Sequence, residues 1–378
     1  MTRTRGAGPG ALRTIASWGL IVAVGGLAAY GLWTLRRANR LYAFLKDGER
    51  GWTSRVFRPD DELGFAPVAG SIGGELLPHG PPIPARFDAD GFRVPEHADP
   101  GGRRRPLVLA LGDSFTYGAA CPAEAAYPHL VAEALQGSAL NAGLPSYGLS
   151  QMLILARRLI PRHAPDYVLV QHSNVLVTRA QERYPKSFFG VWPAPFFVGD
   201  AAGPRLHPPL FRARALELPL PEFRSTRRGA ADYGAFLLGA GLPLFVHDDV
   251  SLVLAEAKQR LGFVPDGSAD AELIVGSVHA EIGALCRAAG ARMLVVLLGR
   301  APSPQRLLEL QRHASVVDAE LALCRAVDAE CRAPQISEAY LRAYGHFRGS
   351  PPVFVDSHPN PRAHAVIAAE ITAAIRSR

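Results

Sequence analysis

The chain has 378 residues, of which 48% are hydrophobic and 20% charged, and its formal net charge is +7 at neutral pH. This composition supports a packed core and excludes global disorder, and the length suits one large α/β domain with additions or two small domains. Arginines supply most of the positive charge but are scattered, with no basic block interleaved with aromatics, so they read as solvated surface and no nucleic-acid partner is expected.

The N-terminal stretch TIASWGLIVAVGGLAAYGLWTL, residues 14–35, carries no charge. At about 1.5 Å per residue such a helix spans the ~30 Å hydrocarbon core of a bilayer. Trp18 and Trp33 sit near its ends, and Arg13 and the Arg36-Arg37 pair close it, as interfacial anchors do. The run is longer than the apolar part of a signal peptide and arginines follow it, so residues 1–37 read as a tail and an uncleaved transmembrane anchor. More basic residues follow the span (Arg36, Arg37, Arg40, Lys46, Arg50) than precede it (Arg3, Arg5, Arg13), which by the positive-inside rule would leave the C-terminal part in the cytoplasm.

Residues 38–105 are rich in Pro, Gly and Asp and read as a small β-rich lead-in, with the turn signal Asp88-Ala89-Asp90-Gly91 inside it. From Pro106 to the end, strand-like and helix-like runs alternate. PLVLALG, SALNAG, DYVLVQHSN and RMLVVLLG are the strands. AEAAYPHLVAEALQ has Pro128 in its first turn, LSQMLILARRLIP stops at Pro161, and residues 270–289 and 303–327 read as helices. A weak strand is expected near Cys331, and VFVDSHPNPRAHAVIAAEITAAIR as a strand end, a loop and an amphipathic closing helix. Such alternation implies an α/β/α arrangement of three layers around a mostly parallel sheet. Residues 180–260 interrupt it with aromatics and prolines and are read as a lid inserted over the site. Cys121, Cys286, Cys324 and Cys331 form no CxxC pair and are read as buried free thiols, leaving the redox compartment open.

In open parallel sheets ligands bind beyond the carboxyl ends of the strands. Four such ends here carry Gly112-Asp113-Ser114, Asn141-Ala142-Gly143, His172-Ser173-Asn174 and Asp356-Ser357-His358. A serine hydroxyl needs a base to become a nucleophile. His358 can be that base, and Asp356, two residues earlier on an extended segment, can orient it. His364 is the rival base, in what reads as the first turn of the last helix. Oxyanion donors are available from the Ser114 N–H, the Asn174 amide and the backbone around Ser146. Asp113 reads as a brace for the loop, and His172 as a satisfied strand-end histidine. No histidine shows ligand spacing, so no metal and no cofactor is expected.

These blocks, in this order, resemble the SGNH hydrolases, or GDSL esterases. GDSFTYG is similar to the family's first block, NAGLPSYG to the second, HSN to the third and DSHPNPRAHAVIA to the last, over roughly residues 105–378 apart from the insertion. The resemblance implies a flavodoxin-like fold, Ser114 as nucleophile with His358 and Asp356, and an oxyanion hole of Ser114, Ser146 and Asn174. Three departures stand out: Ser146 replaces a glycine, Val175 follows Asn174 where the family has Asp, and the last pair is spaced Asp-x-His. The implied activity is ester hydrolysis through an acyl-enzyme, with an acylated small molecule, glycan or lipid as substrate. Alternatives on the same fold are an O-acyltransferase, a lipase-like enzyme suggested by the aromatic insertion, and a non-catalytic binding domain. Relatives with a single N-terminal anchor act on envelope glycans or lipids, so the family implies an extracytoplasmic catalytic domain, against the arginine count.

Overall fold

The computed structural model describes residues 9–46, 52–98, 102–182, 186–187, 190–191, 194–200, 203–209, 267–299, 302–328 and 337–377. The chain divides into two units, Met1–Lys46 with Leu218–Phe263 and Asp47–Glu217 with Val264–Arg378. In the first, α1 (Pro9–Lys46) contains Ser17–Arg36, a stretch long and apolar enough to cross a membrane, with Trp18, Leu27 and Trp33 exposed. A membrane anchor and a signal sequence share those properties.

The second unit is built on one sheet of eight strands. Its parallel part consists of β6 (Leu107–Leu111), β7 (Ser138–Asn141), β8 (Tyr167–His172), β13 (Arg292–Leu297) and β14 (Ser315–Asp318). They lie side by side as β7-β6-β8-β13-β14. In chain order that is 2-1-3-4-5, the flavodoxin-like winding, whose strand order reverses beside the first strand. Leu109, Leu111, Val168, Val170 and Val295 face helices α4 (Leu149–His163) and α6 (Gly267–Ala289). Val108, Ala110, Leu169, Leu294 and Val296 face α3 (Tyr127–Ala134), α8 (Ala319–Arg325) and α10 (Pro361–Arg376). Burial on both faces explains why these strands read as continuous apolar runs rather than alternating ones.

The Pro/Gly-rich lead-in supplies the rest of the sheet. Strands β3 (Ile72–Glu75), β4 (Ile83–Phe87) and β5 (Arg93–Val94) extend it antiparallel beyond β7, and β1 (Phe57–Asp60) pairs with β2 (Gly64–Pro67) beside them in sequence. The Asp88–Gly91 turn forms as its residues dictate: the Asp88 carboxylate accepts the Asp90 and Phe92 N–H groups, and Gly91 takes φ +84°.

Several elements differ from the sequence expectations. The 303–327 stretch is not one helix: α7 (Pro304–His313) ends before β14, where Ser315-Val316-Val317 supplies β-branched residues, and Asp318 caps the Leu321 N–H to start α8. Helix α4 runs through Pro161 to His163, although the proline forfeits one i→i−4 hydrogen bond, and Ala164 closes it in the left-handed region. The strand ending at Asp356, β16 (Val353–Asp356), is not in the main sheet; it pairs antiparallel with β15 (His346–Arg348) in a separate ribbon. Cys324 is disulfide-bonded rather than free, whereas Cys121 and Cys286 are free and buried. The weak strand near Cys331 and most of the expected lid, residues 210–266, lie outside the described residues. At the start of that insertion, β11 (Phe196–Asp200) and β12 (Gly203–His207) form a hairpin whose Phe197 joins the core beneath α6.

Arg93 ties the lead-in to the parallel sheet. Its guanidinium is fully buried, lies 4.0 Å over the Tyr117 ring, and donates to the Tyr117, Gly118 (2.7 Å) and Cys121 (2.5 Å) carbonyl oxygens. Arg93→Met is expected to destabilise the protein by roughly 3–5 kcal/mol, read as a shift in denaturant midpoint, because those acceptors lose their donor inside the protein. A shift below about 0.5 kcal/mol would show that the strap is dispensable.

Candidate active site

Strand β6 ends at Gly112, where only glycine fits: a Cβ would lie 2.0 Å from Thr116 Oγ1 and 2.5 Å from Gln171 Oε1. The chain then turns into a short helix, α2 (Ser114–Tyr117), which Gly118 closes at φ +82°. Asp113 caps it, accepting the Phe115 N–H at 3.0 Å. The same carboxylate accepts from Gln171 Nε2 at 2.8 Å and pairs with Arg179 Nη1 at 3.0 Å. Gln171 Oε1 in turn accepts the Asp113 N–H (3.1 Å) and the Thr116 hydroxyl (2.7 Å). Asp113 is therefore a brace, as its position in the sequence implied, and Ser114 is held at the first position of a helix. The N–H groups of a first helical turn have no partner within the helix.

The second strand end packs on this elbow. Gly143 approaches so closely that a Cβ would lie 2.6 Å from the Tyr117 nitrogen, and the Leu144 N–H donates to the Gly112 carbonyl at 3.2 Å. Leu144–Tyr147 is a turn closed by the Tyr147 N–H on the Leu144 carbonyl at 3.2 Å, with Pro145 second and Ser146 third at φ +70°. That is the type II pattern, which favours proline second and needs positive φ third. Ser146 thus takes a positive φ that glycine adopts freely, at the strain a side chain incurs there. Among the described residues, neither the Ser114 nor the Ser146 N–H is engaged by another group.

Asn174 opens α5 (Asn174–Arg179) beyond β8, and its Oδ1 accepts from Arg306 Nη1 at 3.0 Å. The far end of the same helix reaches the elbow, Arg179 bonding both Asp113 and the Tyr147 carbonyl (3.3 Å). His172 is not hydrogen-bonded as expected: both ring nitrogens are buried without a partner among the described residues, because the side chain packs edge-on to His279 of α6, 5.4 Å between centroids. Burial, with the His279 and Arg306 charges behind it, holds its pKa well below the ordinary value.

The C-terminal ribbon delivers the remaining pair. Asp356 Oδ1 accepts both the His358 backbone N–H and its Nδ1, each at 2.7 Å. The turn this makes, rather than an extended segment, is what lets Asp-x-His spacing work. Burial favours neutral His358, but the hydrogen bond and charge of Asp356 outweigh it, and Asp113 and Glu75 act in the same sense, so its pKa is raised. Burial also opposes the charge on Asp356, yet the His358 contact leaves its pKa lowered. The ring of Phe115, the residue after Ser114, meets the His358 ring edge-on at 5.7 Å, which brings elbow and imidazole into one site. No hydrogen bond joins Ser114 Oγ to His358; the imidazole's hydrogen bond is to Asp356. His364 is no rival: it is fully buried, its Nδ1 accepts the Tyr127 N–H at 3.3 Å, and burial drives its pKa to about 3.

Four contributors escaped the sequence reading. Gln171 carried a signal, a polar residue at the penultimate position of a buried strand. Arg179, Arg306 and Glu75 carried none, since their roles depend on long-range packing. Glu75 of β3 is buried, accepts the Ala120 N–H at 3.0 Å, and has its pKa raised by burial, with Ala120 and Arg93 partly compensating. A cavity of about 300 Å³ between the lead-in and α4, lined by Arg58, Leu63, Phe92, Tyr147, Arg158 and Arg162, includes none of Ser114, Asn174, Asp356 or His358.

No family model and no curated protein matches the chain. Among solved structures, the chain is similar to LAE5, an alpha/beta hydrolase enzyme from the metagenome of Lake Arreo, Spain, with 13% identity over 72% of this chain and 96% of that one, at a TM-score of 0.36. It is also similar to a family two carbohydrate esterase from Cellvibrio japonicus (11% identity, 79% of each chain, TM-score 0.34). A third is the psychrotrophic esterase EstA from a Pseudoalteromonas species (12% identity, 72% of this chain and 97% of that one, TM-score 0.33).

With His358 needed neutral as a base and its pKa raised, kcat/KM for p-nitrophenyl acetate is expected to climb with pH through a limb above about 6.5. Asp356→Asn should lower the rate by about 100- to 10,000-fold and move that limb to lower pH; a limb that stays put would show that Asp356 does not set the imidazole's charge. Ser146→Gly should keep activity and raise stability by roughly 1 kcal/mol, measured by thermal melting, as the positive φ loses its strain. A fall in activity would assign a role to the Ser146 hydroxyl.

Proposed function

We propose that the chain is a serine hydrolase of the SGNH type that acts on carboxylic esters through an acyl-enzyme. The observation that carries this reading is the His358–Asp356 pair at 2.7 Å, gathered by the Phe115–His358 contact beside a serine at the start of a braced helix. In the proposed reaction Ser114 Oγ attacks the ester carbonyl carbon while its proton passes to His358 Nε2. Asp356 holds the tautomer through Nδ1 and stabilises the imidazolium. The carbonyl oxygen, now carrying the negative charge, is met by the Ser114 and Ser146 N–H groups and the Asn174 amide. Collapse breaks the bond to the alcohol, which leaves with the proton from His358. Water, deprotonated by His358, then attacks the acyl carbon, releasing the acid and restoring Ser114. An alcohol in place of that water would make the same centre an acyltransferase.

An ester-linked acyl group on an envelope glycan or lipid is the proposed substrate, with α1 as membrane anchor and the second unit on the extracytoplasmic side. The apolar Ser17–Arg36 stretch and the Cys324 disulfide, a bond that persists in oxidising compartments, support this placement. The basic residues flanking the span favour the opposite orientation. Protease access in intact against opened cells decides it: cleavage only after opening the cytoplasm would reverse the placement.

A fluorophosphonate probe is expected to label the wild-type chain and not Ser114→Ala. Equal labelling of both would reject Ser114 as the nucleophile. Absence of labelling, with no burst of p-nitrophenol from an activated ester, would instead identify a binding domain on this fold.

A further inference from the structure

An amide can stabilise an oxyanion only through its NH₂ end, so the asparagine of such a site must be held one way round. Nothing within its own helix orients the Asn174 side chain. It opens α5, the Thr178 hydroxyl bonds only its backbone carbonyl (3.1 Å), and the adjacent Val175 is apolar and exposed. The orienting contact comes from α7. Arg306 Nη1 donates to Asn174 Oδ1 at 3.0 Å. Its Nε and Nη2 are occupied by Glu272 of α6, at 2.9 Å to Oε2 and 2.6 Å to Oε1. The Arg306 side chain is 12% exposed, whereas that of Glu272 is 37% exposed and Asn174 is exposed, so the guanidinium is packed while both its partners reach the surface.

A guanidinium has donors only, and the amide atom facing it must therefore be the oxygen. That logic holds whichever way the amide is drawn. We propose that Arg306, fixed by its bidentate pair with Glu272, is a positioning residue that turns the Asn174 amide so that its NH₂ end serves the oxyanion. The inference rests on the serine-hydrolase reading above. The fork of donors matters, because one face of the guanidinium is held by a carboxylate while another nitrogen reaches the asparagine. The cation on Oδ1 also polarises the amide and strengthens the N–H groups at its other end. It follows that α6 and α7, which come after the 180–260 insertion in sequence, carry part of the active centre.

The test is a double-mutant cycle in the full chain, solubilised in detergent, with p-nitrophenyl acetate as probe. Asn174→Ala is expected to lower kcat by about 100- to 1,000-fold. Arg306→Met should lower kcat by roughly 10- to 100-fold with KM changed less than about twofold, since the contact acts on the transition state. The double variant should be no slower than Asn174→Ala alone, because Arg306 then has nothing to orient. Asn174→Asp keeps an oxygen toward Arg306 but has no donor, and should be as slow as Asn174→Ala. Arg306→Lys, which guards against a folding defect in the Met variant, should recover part of the lost kcat.

Single effects that multiply in the double variant, or an unchanged kcat in Arg306→Met, would overturn the proposal while leaving the hydrolase reading intact. If Ser114→Ala abolishes labelling by the fluorophosphonate but Asn174→Ala is as fast as wild type, the positioning role falls and the nucleophile stands. If Ser114→Ala is labelled like wild type, the underlying reading falls, and the proposal with it.

Discussion

Asp113 is the group on which the site depends. Its carboxylate takes the Phe115 N–H, the Gln171 amide and the Arg179 guanidinium, and so fastens the elbow after β6 to the end of β8 and to α5. A buried carboxylate persists only when it is fully paired, and here the pairing itself sets where Ser114 sits. Arg179 passes the constraint on to the turn containing Ser146 through the Tyr147 carbonyl. Ser114, the turn containing Ser146 and the helix carrying Asn174 therefore share a single anchor. The charge of Asp113 also supports the imidazolium form of His358, so the brace contributes to the electrostatics around that ring.

A second junction lies on the other side of the elbow, at Gly118–Cys121. Glu75 and Arg93 hold this segment from the lead-in, Ala120 adopting φ +63° to offer its N–H to Glu75. From the C-terminal side, the Cys121 thiol donates to the Pro359 carbonyl at 3.4 Å, one residue beyond His358. Burial pushes this thiol up to about 12, which keeps it protonated and makes it a small packing group with a weak donor rather than a reactive centre. The lead-in strands are thus more than an extension of the sheet: they fix the loop that connects the serine's helix to the histidine's loop.

The parallel core was legible because burial on both faces leaves a direct mark, unbroken runs such as Val108-Leu109-Ala110-Leu111. The polar strand ends were legible for the converse reason: Ser114, Asn174 and Asp356-His358 stand where apolar runs stop. What escaped was local competition and long-range packing. Ser315–Asp318 is too short for its β-branched residues to stand out between two helical stretches, so β14 was absorbed into a helix. The Asp356 strand ends in the expected residues, but only pairing with His346–Arg348 reveals that it belongs to a ribbon outside the sheet. His172 shows the limit of residue type as a guide, since its burial against His279 depends on a helix more than a hundred residues away in sequence. What the sequence does not show at Ser146 is its backbone, which takes a positive φ of +70° in the turn that Pro145 opens.

In the proposed reaction the hydroxyl of Ser114, the imidazole of His358 and donors from three separate segments surround one reacting carbonyl. The most direct measurement is a crystal structure of the protein after reaction with an alkyl phosphonate. The expected result is phosphorus bonded to Ser114 Oγ, the phosphoryl oxygen within about 3 Å of the Ser114 and Ser146 nitrogens and Asn174 Nδ2, and His358 Nε2 facing the ester oxygen. Phosphorus on another residue, or a phosphoryl oxygen turned away from all three nitrogens, would contradict it.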